Sequence, residues 1–172
     1  MVLPLLALPL VLFAGALPAG AEDVYQEPSA FIDEVFEGSP PAPQVLPIIG
    51  ERREAVGRIL DHAPAMLRVR YWLAEERSAW VLEEIGKTMP ITAGVVVADG
   101  RIEDVRVLIY RESHGAEVRH DFFTRQFTGA TIEEGNELSR SIDGISGATL
   151  SVNAMRKLAR VALYLDHEIR IR

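Results

Sequence analysis

The dipeptide Asp99-Gly100 restricts the possible folds of this 172-residue chain more than any other pair of residues in it. Residues 91–98 before it are β-branched and apolar, and residues 102–110 after it return. Two such runs joined by Asp-Gly call for a hairpin closed by a two-residue type I′ turn, because both turn residues must adopt φ > 0 and few pairs do so cheaply. In the return run Val105, Val107 and Ile109 are expected to point one way. A second hairpin is expected just upstream. Leu67, Val69, Tyr71 and Leu73 alternate there with Arg68, Arg70 and Trp72, residues 75–78 are polar, and residues 80–85 lead back.

Around these strands the period changes from two to about 3.6. Val152, Met155, Leu158, Ala162, Leu165 and Ile169 form an apolar stripe, with Arg156, Lys157 and Arg160 opposite, and predict a helix over 151–169. Val56, Ile59 and Leu60 predict a shorter one over 51–60. Residues 122–127 read as a short aromatic helix and 128–142 as a polar loop. Pro28, Pro40, Pro41, Pro43 and Pro47 favour an extended lead-in over 22–50, with room for a helical turn at 30–36. No internal repeat is present. The expected fold class is α+β: one domain, 51–172, with an antiparallel sheet from two hairpins packed against helices.

Composition excludes several functions. The net charge of −7, with no basic face, argues against nucleic acid as a partner. Without cysteine there is no disulfide, thiolate metal site or cysteine nucleophile. Residues 2–20 carry no charge, and Ala19-Gly20-Ala21 precedes the polar Glu22-Asp23, which predicts a secretory signal over 1–21 cleaved after Ala21. The competing reading is an uncleaved anchor; a span needs about 20 apolar residues, and Pro4 and Pro9 interrupt this one. The expected location is periplasmic or otherwise extracytoplasmic, with membrane association left open.

The chemistry concentrates in Asp143-Gly144-Ile145-Ser146-Gly147-Ala148-Thr149, at the start of the long helix. Two glycines and an alanine let a bulky group approach the backbone. Free N–H groups at a helix start suit a phosphate, and a threonine hydroxyl can itself carry one. Ser146, Thr149 and Ser151 are equally ordinary helix caps, and Gly147 an ordinary turn residue.

This heptapeptide resembles the Asp-x-x-(Ser/Thr)-Gly-Ala-Thr pattern of FMN-binding domains that are flavinylated on the last threonine. Such domains occur in periplasmic subunits of the sodium-pumping NADH:quinone oxidoreductase and of Rnf complexes, and a related one in the membrane regulator of nitrous oxide respiration. Glu112-Ser113-His114-Gly115 resembles the Glu-Thr-Pro-Gly loop of the same family, with Ser113 and His114 departing from it. Residues 85–92 resemble the start of the domain in the nitrous oxide regulator type, and the likeness spans about 79–166. The resemblance implies FMN joined through a phosphoester to Thr149 by a Mg²⁺-dependent flavin transferase that uses FAD and releases AMP. It implies recognition of Asp143, Ser146, Gly147 and Ala148 by that transferase, and places Glu112, Ser113, His114 and Gly115 near the flavin. The implied role is an electron carrier with a membrane or periplasmic redox partner and no catalytic residue of its own.

Two other classes compete. A secreted flavin-dependent reductase would need an acid or base, for which Glu112 or His114 could serve. A structural or sensory module would keep the fold without the cofactor. His114 and His120, with Glu112, Glu117 and Asp121 nearby in sequence, match no familiar zinc spacing. Glu83-Glu84 and Glu133-Glu134 read as solvated, and Trp72 and Trp80 as core or edge aromatics.

Overall fold

The computed structural model describes residues 22–171. The expected signal segment, 1–21, lies outside the described residues.

Four consecutive antiparallel strands form the centre of the fold: β3 (Arg68–Ala74), β4 (Arg77–Ile85), β5 (Pro90–Ala98) and β6 (Arg101–Tyr110). Asp99 and Gly100 have φ of 50° and 70°, as a type I′ turn requires. The β3–β4 turn is tighter than the polar run suggests: Ala74 pairs with Arg77, leaving only Glu75 and Glu76 between them. From Ile91 to Val97 every residue of β5 is buried, because helices cover both faces of the sheet.

The proline-rich stretch upstream does more than lead in. Asp23–Val24 (β1) pairs with β6, and Gln44–Pro47 (β2) pairs with β3, so both edges of the six-stranded sheet come from it. Prolines suit such edges, where one side of the strand needs no N–H partner. Between them Pro28–Val35 (α1) is a full helix with proline in its first turn. It drives Phe31 onto the sheet at Gly94, where an added Cβ would come within 2.5 Å of the ring.

Gly50–Leu60 (α2) and the 22-residue Thr149–Arg170 (α4) cover the opposite face. The main core lies there, built from Trp80, Leu82, Val95, Val105, Val107, Met155, Leu158 and their neighbours. Trp80 is fully buried and stacks on Tyr71, with ring centroids 5.0 Å apart. Phe123 and Phe127, in Asp121–Thr124 (α3) and the 3₁₀ turn after it, seal one end edge-to-face at 5.4 Å. Among the described residues no helix is long and apolar enough to cross a membrane.

Two expectations need correction. Ile109 does not share a face with Val105 and Val107. Thr92 pairs with Ile109 and Ala93 with Val107, so Leu108 is a one-residue bulge. A slip of one residue exchanges the faces; Leu108 and Ile109 pack toward α1, and Tyr110 turns toward α4. The second correction is Glu84, which is buried: His62 lies 2.9 Å from its carboxylate and Lys157 3.9 Å. Glu83 remains exposed as expected.

Candidate functional site

The first turn of α4 is built without a side-chain cap. Ala148 occupies the cap position with ψ of 21°, far from the extended value at which a cap side chain reaches back over the helix start. None of Ser146, Thr149 and Ser151 caps it, so the bland reading of those three residues does not hold. Ala148 itself is buried and its N–H is satisfied by the Ile145 carbonyl at 3.0 Å. The N–H groups of the next three residues have no intrahelical acceptor, as at any helix start. Thr149 is exposed, and Gly147, with φ of 82°, has open space where a Cβ would stand.

These residues form one side of a cleft of about 540 Å³. Gly147, Ala148, Thr149, Leu150 and Ser151 line it from the helix, Glu112, Ser113 and His114 from the loop after β6, and Lys87 and Thr88 from the β4–β5 turn. Six sequence-predicted site residues therefore meet: Glu112, Ser113, His114, Gly147, Ala148 and Thr149. Asp143 and Ser146 lie outside the lining, both exposed. The Asp143 backbone N–H donates to the Gln126 side chain at 2.7 Å, and the Arg156 guanidinium donates to the Ile142 carbonyl, which pins the start of the heptapeptide.

Glu112 has a definite task. Its Oε1 accepts the backbone N–H groups of Lys87, Thr88 (2.6 Å) and Met89 (2.9 Å), and its Oε2 accepts the Thr88 hydroxyl at 3.2 Å. Burial alone would push this carboxyl up in pKa. The three backbone donors and the hydroxyl outweigh that and hold it below the usual glutamate range. Gly86 makes the approach possible, since a Cβ there would lie 3.0 Å from Oε1. Glu112 thus clamps the Lys87–Thr88 lip in place, and its lone pairs are spent on the protein.

Gly115 is buried directly behind the lining, with φ of 92°. Sequence reasoning missed Tyr110, whose hydroxyl lies against that loop; only the bulge at Leu108, invisible in the residue pattern, turns it there. Lys87 and Thr88 carried a signal in the resemblance of 85–92. Among the described residues no three His, Asp or Glu side chains converge as a metal cage. His120 instead stacks near Phe122, at 6.1 Å between centroids.

The molecule is a small α+β domain whose uncapped helix start opens into this cleft, an arrangement that suits an anion. Residues 86–164 match the family described as FMN-binding domain, and that stretch takes in every residue of the cleft and most of α4. The chain therefore carries an FMN-binding domain, of the family its two motifs resemble. No curated protein matches the chain.

Proposed function

We propose that this protein is an exported electron carrier that holds FMN covalently, through a phosphoester on the Thr149 hydroxyl. The observation that carries the reading is the placement of Thr149: exposed, first in an uncapped helix, and facing a cleft inside the FMN-binding stretch. The residues present fit such a group. Uncommitted N–H groups and the helix dipole favour a phosphodiester anion at the α4 start. Lys87, the single lysine or arginine in the lining, adds positive charge. The bare backbone at Gly147 leaves room.

The attachment chemistry balances with FAD as donor and a Mg²⁺-dependent flavin transferase as catalyst. The Thr149 oxygen bonds to the FMN-side phosphorus, the pyrophosphate P–O bond breaks, AMP leaves, and the hydroxyl proton goes to solvent or base. When bound, the flavin supplies one- and two-electron redox chemistry, while the protein sets its burial, hydrogen bonds and surrounding charge. A covalent tether suits an extracytoplasmic site, because no dissociation can dilute the cofactor away. The redox partner is a membrane or periplasmic protein.

The reductase reading loses one of its two candidate groups: Glu112, ionised and saturated by backbone donors, is poorly placed to move protons. The test is co-production with a flavin transferase, followed by in-gel flavin fluorescence under denaturing conditions. Wild type is expected to fluoresce and Thr149→Ala to be dark. Equal fluorescence from the two would remove the proposal, and steady turnover with a small-molecule donor would replace the carrier by an enzyme.

A further inference from the structure

Behind the cleft lies a polar cluster that the attachment chemistry does not use. Tyr110 is 1% exposed at the end of β6, and Ser151 is 4% exposed in the first turn of α4. The Tyr110 hydroxyl donates to the His114 carbonyl at 2.6 Å. It also lies 2.8 Å from the Ser151 Oγ. A phenol has one proton, here committed to the carbonyl, so Ser151 is the donor in the second bond.

Gly115 closes the arrangement. A Cβ on it would sit 2.7 Å from the Ser151 Oγ and 2.9 Å from the Tyr110 hydroxyl, with the Ala148 Cβ at 3.4 Å. The loop therefore passes over the two hydroxyls with no room for a side chain. Burial, reinforced by Glu112 and Glu117, raises the Tyr110 pKa against the lowering effect of its bond to Ser151, so the phenol keeps its proton.

Resting on the reading of Thr149 as the flavin acceptor, we propose that Tyr110 is a positioning residue whose hydroxyl, through Ser151 and the His114 carbonyl, latches the Glu112–Gly115 loop to the first turn of α4. The latch acts two residues beyond Thr149 and one before Gly115, so it sets the separation of the two cleft walls: Ser151 and His114 belong to the lining, and Tyr110 stands behind it. Glu112 clamps the third wall, and the latch gives that clamp a fixed base. Removing the Tyr110 hydroxyl leaves the His114 carbonyl and the Ser151 hydroxyl without their partner and frees the loop, whereas removing the Ser151 hydroxyl keeps the Tyr110–His114 bond and unties it from α4.

The test begins with protein carrying no flavin. In Tyr110→Phe, which keeps the ring, amide hydrogen exchange is expected to rise at least fivefold at Val118 and Val152. Their acceptors are the Gly115 and Ala148 carbonyls. Exchange within β4 and β5 should stay unchanged. Ser151→Ala, which keeps the Tyr110–His114 bond, should raise exchange at Val152, and the double variant should not exceed Tyr110→Phe, because both substitutions act on one linked device. Flavin loading by the transferase should then fall at least threefold in kcat/KM for the acceptor protein. Unaltered exchange in both single variants, or exchange that rises equally across the whole sheet, would overturn the latch. The exchange arm is independent of cofactor: if wild type never loads, the reading of Thr149 fails while the exchange result still decides the latch.

Discussion

The two ends of α4 are made from the same helix and treated in opposite ways. At its C-terminal end Asp166, 1% exposed, accepts the Ser78 hydroxyl at 2.6 Å and Arg170 at 2.9 Å, and Ser78 in turn accepts the Trp80 indole N–H at 2.8 Å. Arg170 continues to the Glu76 carboxylate at 2.6 Å and its carbonyl at 2.7 Å. Asp166 and Arg170 are both tied there. At the N-terminal end no side chain caps the helix, and Thr149 and Leu150 stand exposed over a cleft. Helix ends are normally satisfied because orphan N–H and C=O groups cost free energy. One end closed into the core and one left open divides stability from function along a single element.

Removing Asp166 should have the largest effect on this contrast. Asp166→Ala leaves the buried Ser78 hydroxyl without its acceptor and Arg170 with Glu76 alone, and is expected to cost about 3 kcal/mol in denaturant unfolding. Thr149→Ala should stay within about 0.5 kcal/mol of wild type. Similar costs at the two ends would dissolve the comparison. Next in size, Gly115→Ala puts a side chain at φ of 92° against Ser151 and Tyr110, and should lower stability by about 1–3 kcal/mol as well as flavin loading.

The open end also has an acid limit. Because the Glu112 pKa is depressed on folding, its contribution is present above the ordinary glutamate range and lost as pH falls through the folded value. The protection of the Lys87, Thr88 and Met89 amides, measured against their intrinsic exchange rates at each pH, should fall as the pH is lowered. In Glu112→Gln that fall should be missing. The smallest effect belongs to His62. Its pKa is raised, chiefly by the hydrogen bond to Glu84, then by the Ala63 carbonyl, against burial and Lys157. Its contribution is complete below the ordinary histidine value and lost as pH rises through the folded one. Glu84, Asp61 and Lys157 surround this pair, and the ring is half-exposed. Thermal scans between about pH 6 and 8 should show a difference under about 1 kcal/mol, absent in His62→Gln.

What the residues announced and what they concealed follow the same division. The central hairpins and α4 were legible because their patterns are local: Asp99-Gly100 sets a turn, and Val152 to Ile169 repeats at helical spacing. The roles of β1, β2 and α1 were concealed. A two-residue strand has no period, and Phe31 gains meaning only from Gly94, 63 positions away in sequence. The short motifs singled out Thr149 and the Glu112–Gly115 loop, and the fold brings Thr149, Glu112, Ser113 and His114 to one cleft. That Glu112 serves the Lys87–Met89 backbone was not, because a carboxylate's partners are decided by the fold. Tyr110 was hidden for a similar reason: the Leu108 bulge reverses its face, and nothing in the alternation of valines betrays the extra residue.

The central claim is that the Thr149 oxygen carries the flavin. Intact-mass analysis with peptide mapping, on protein exported from cells that supply a flavin transferase and FAD, reads it directly. The account predicts one FMN, joined with loss of water, on the peptide containing Thr149, and bare polypeptide for Thr149→Ala. An unmodified wild-type chain, or an FMN adduct that persists in Thr149→Ala, would contradict it.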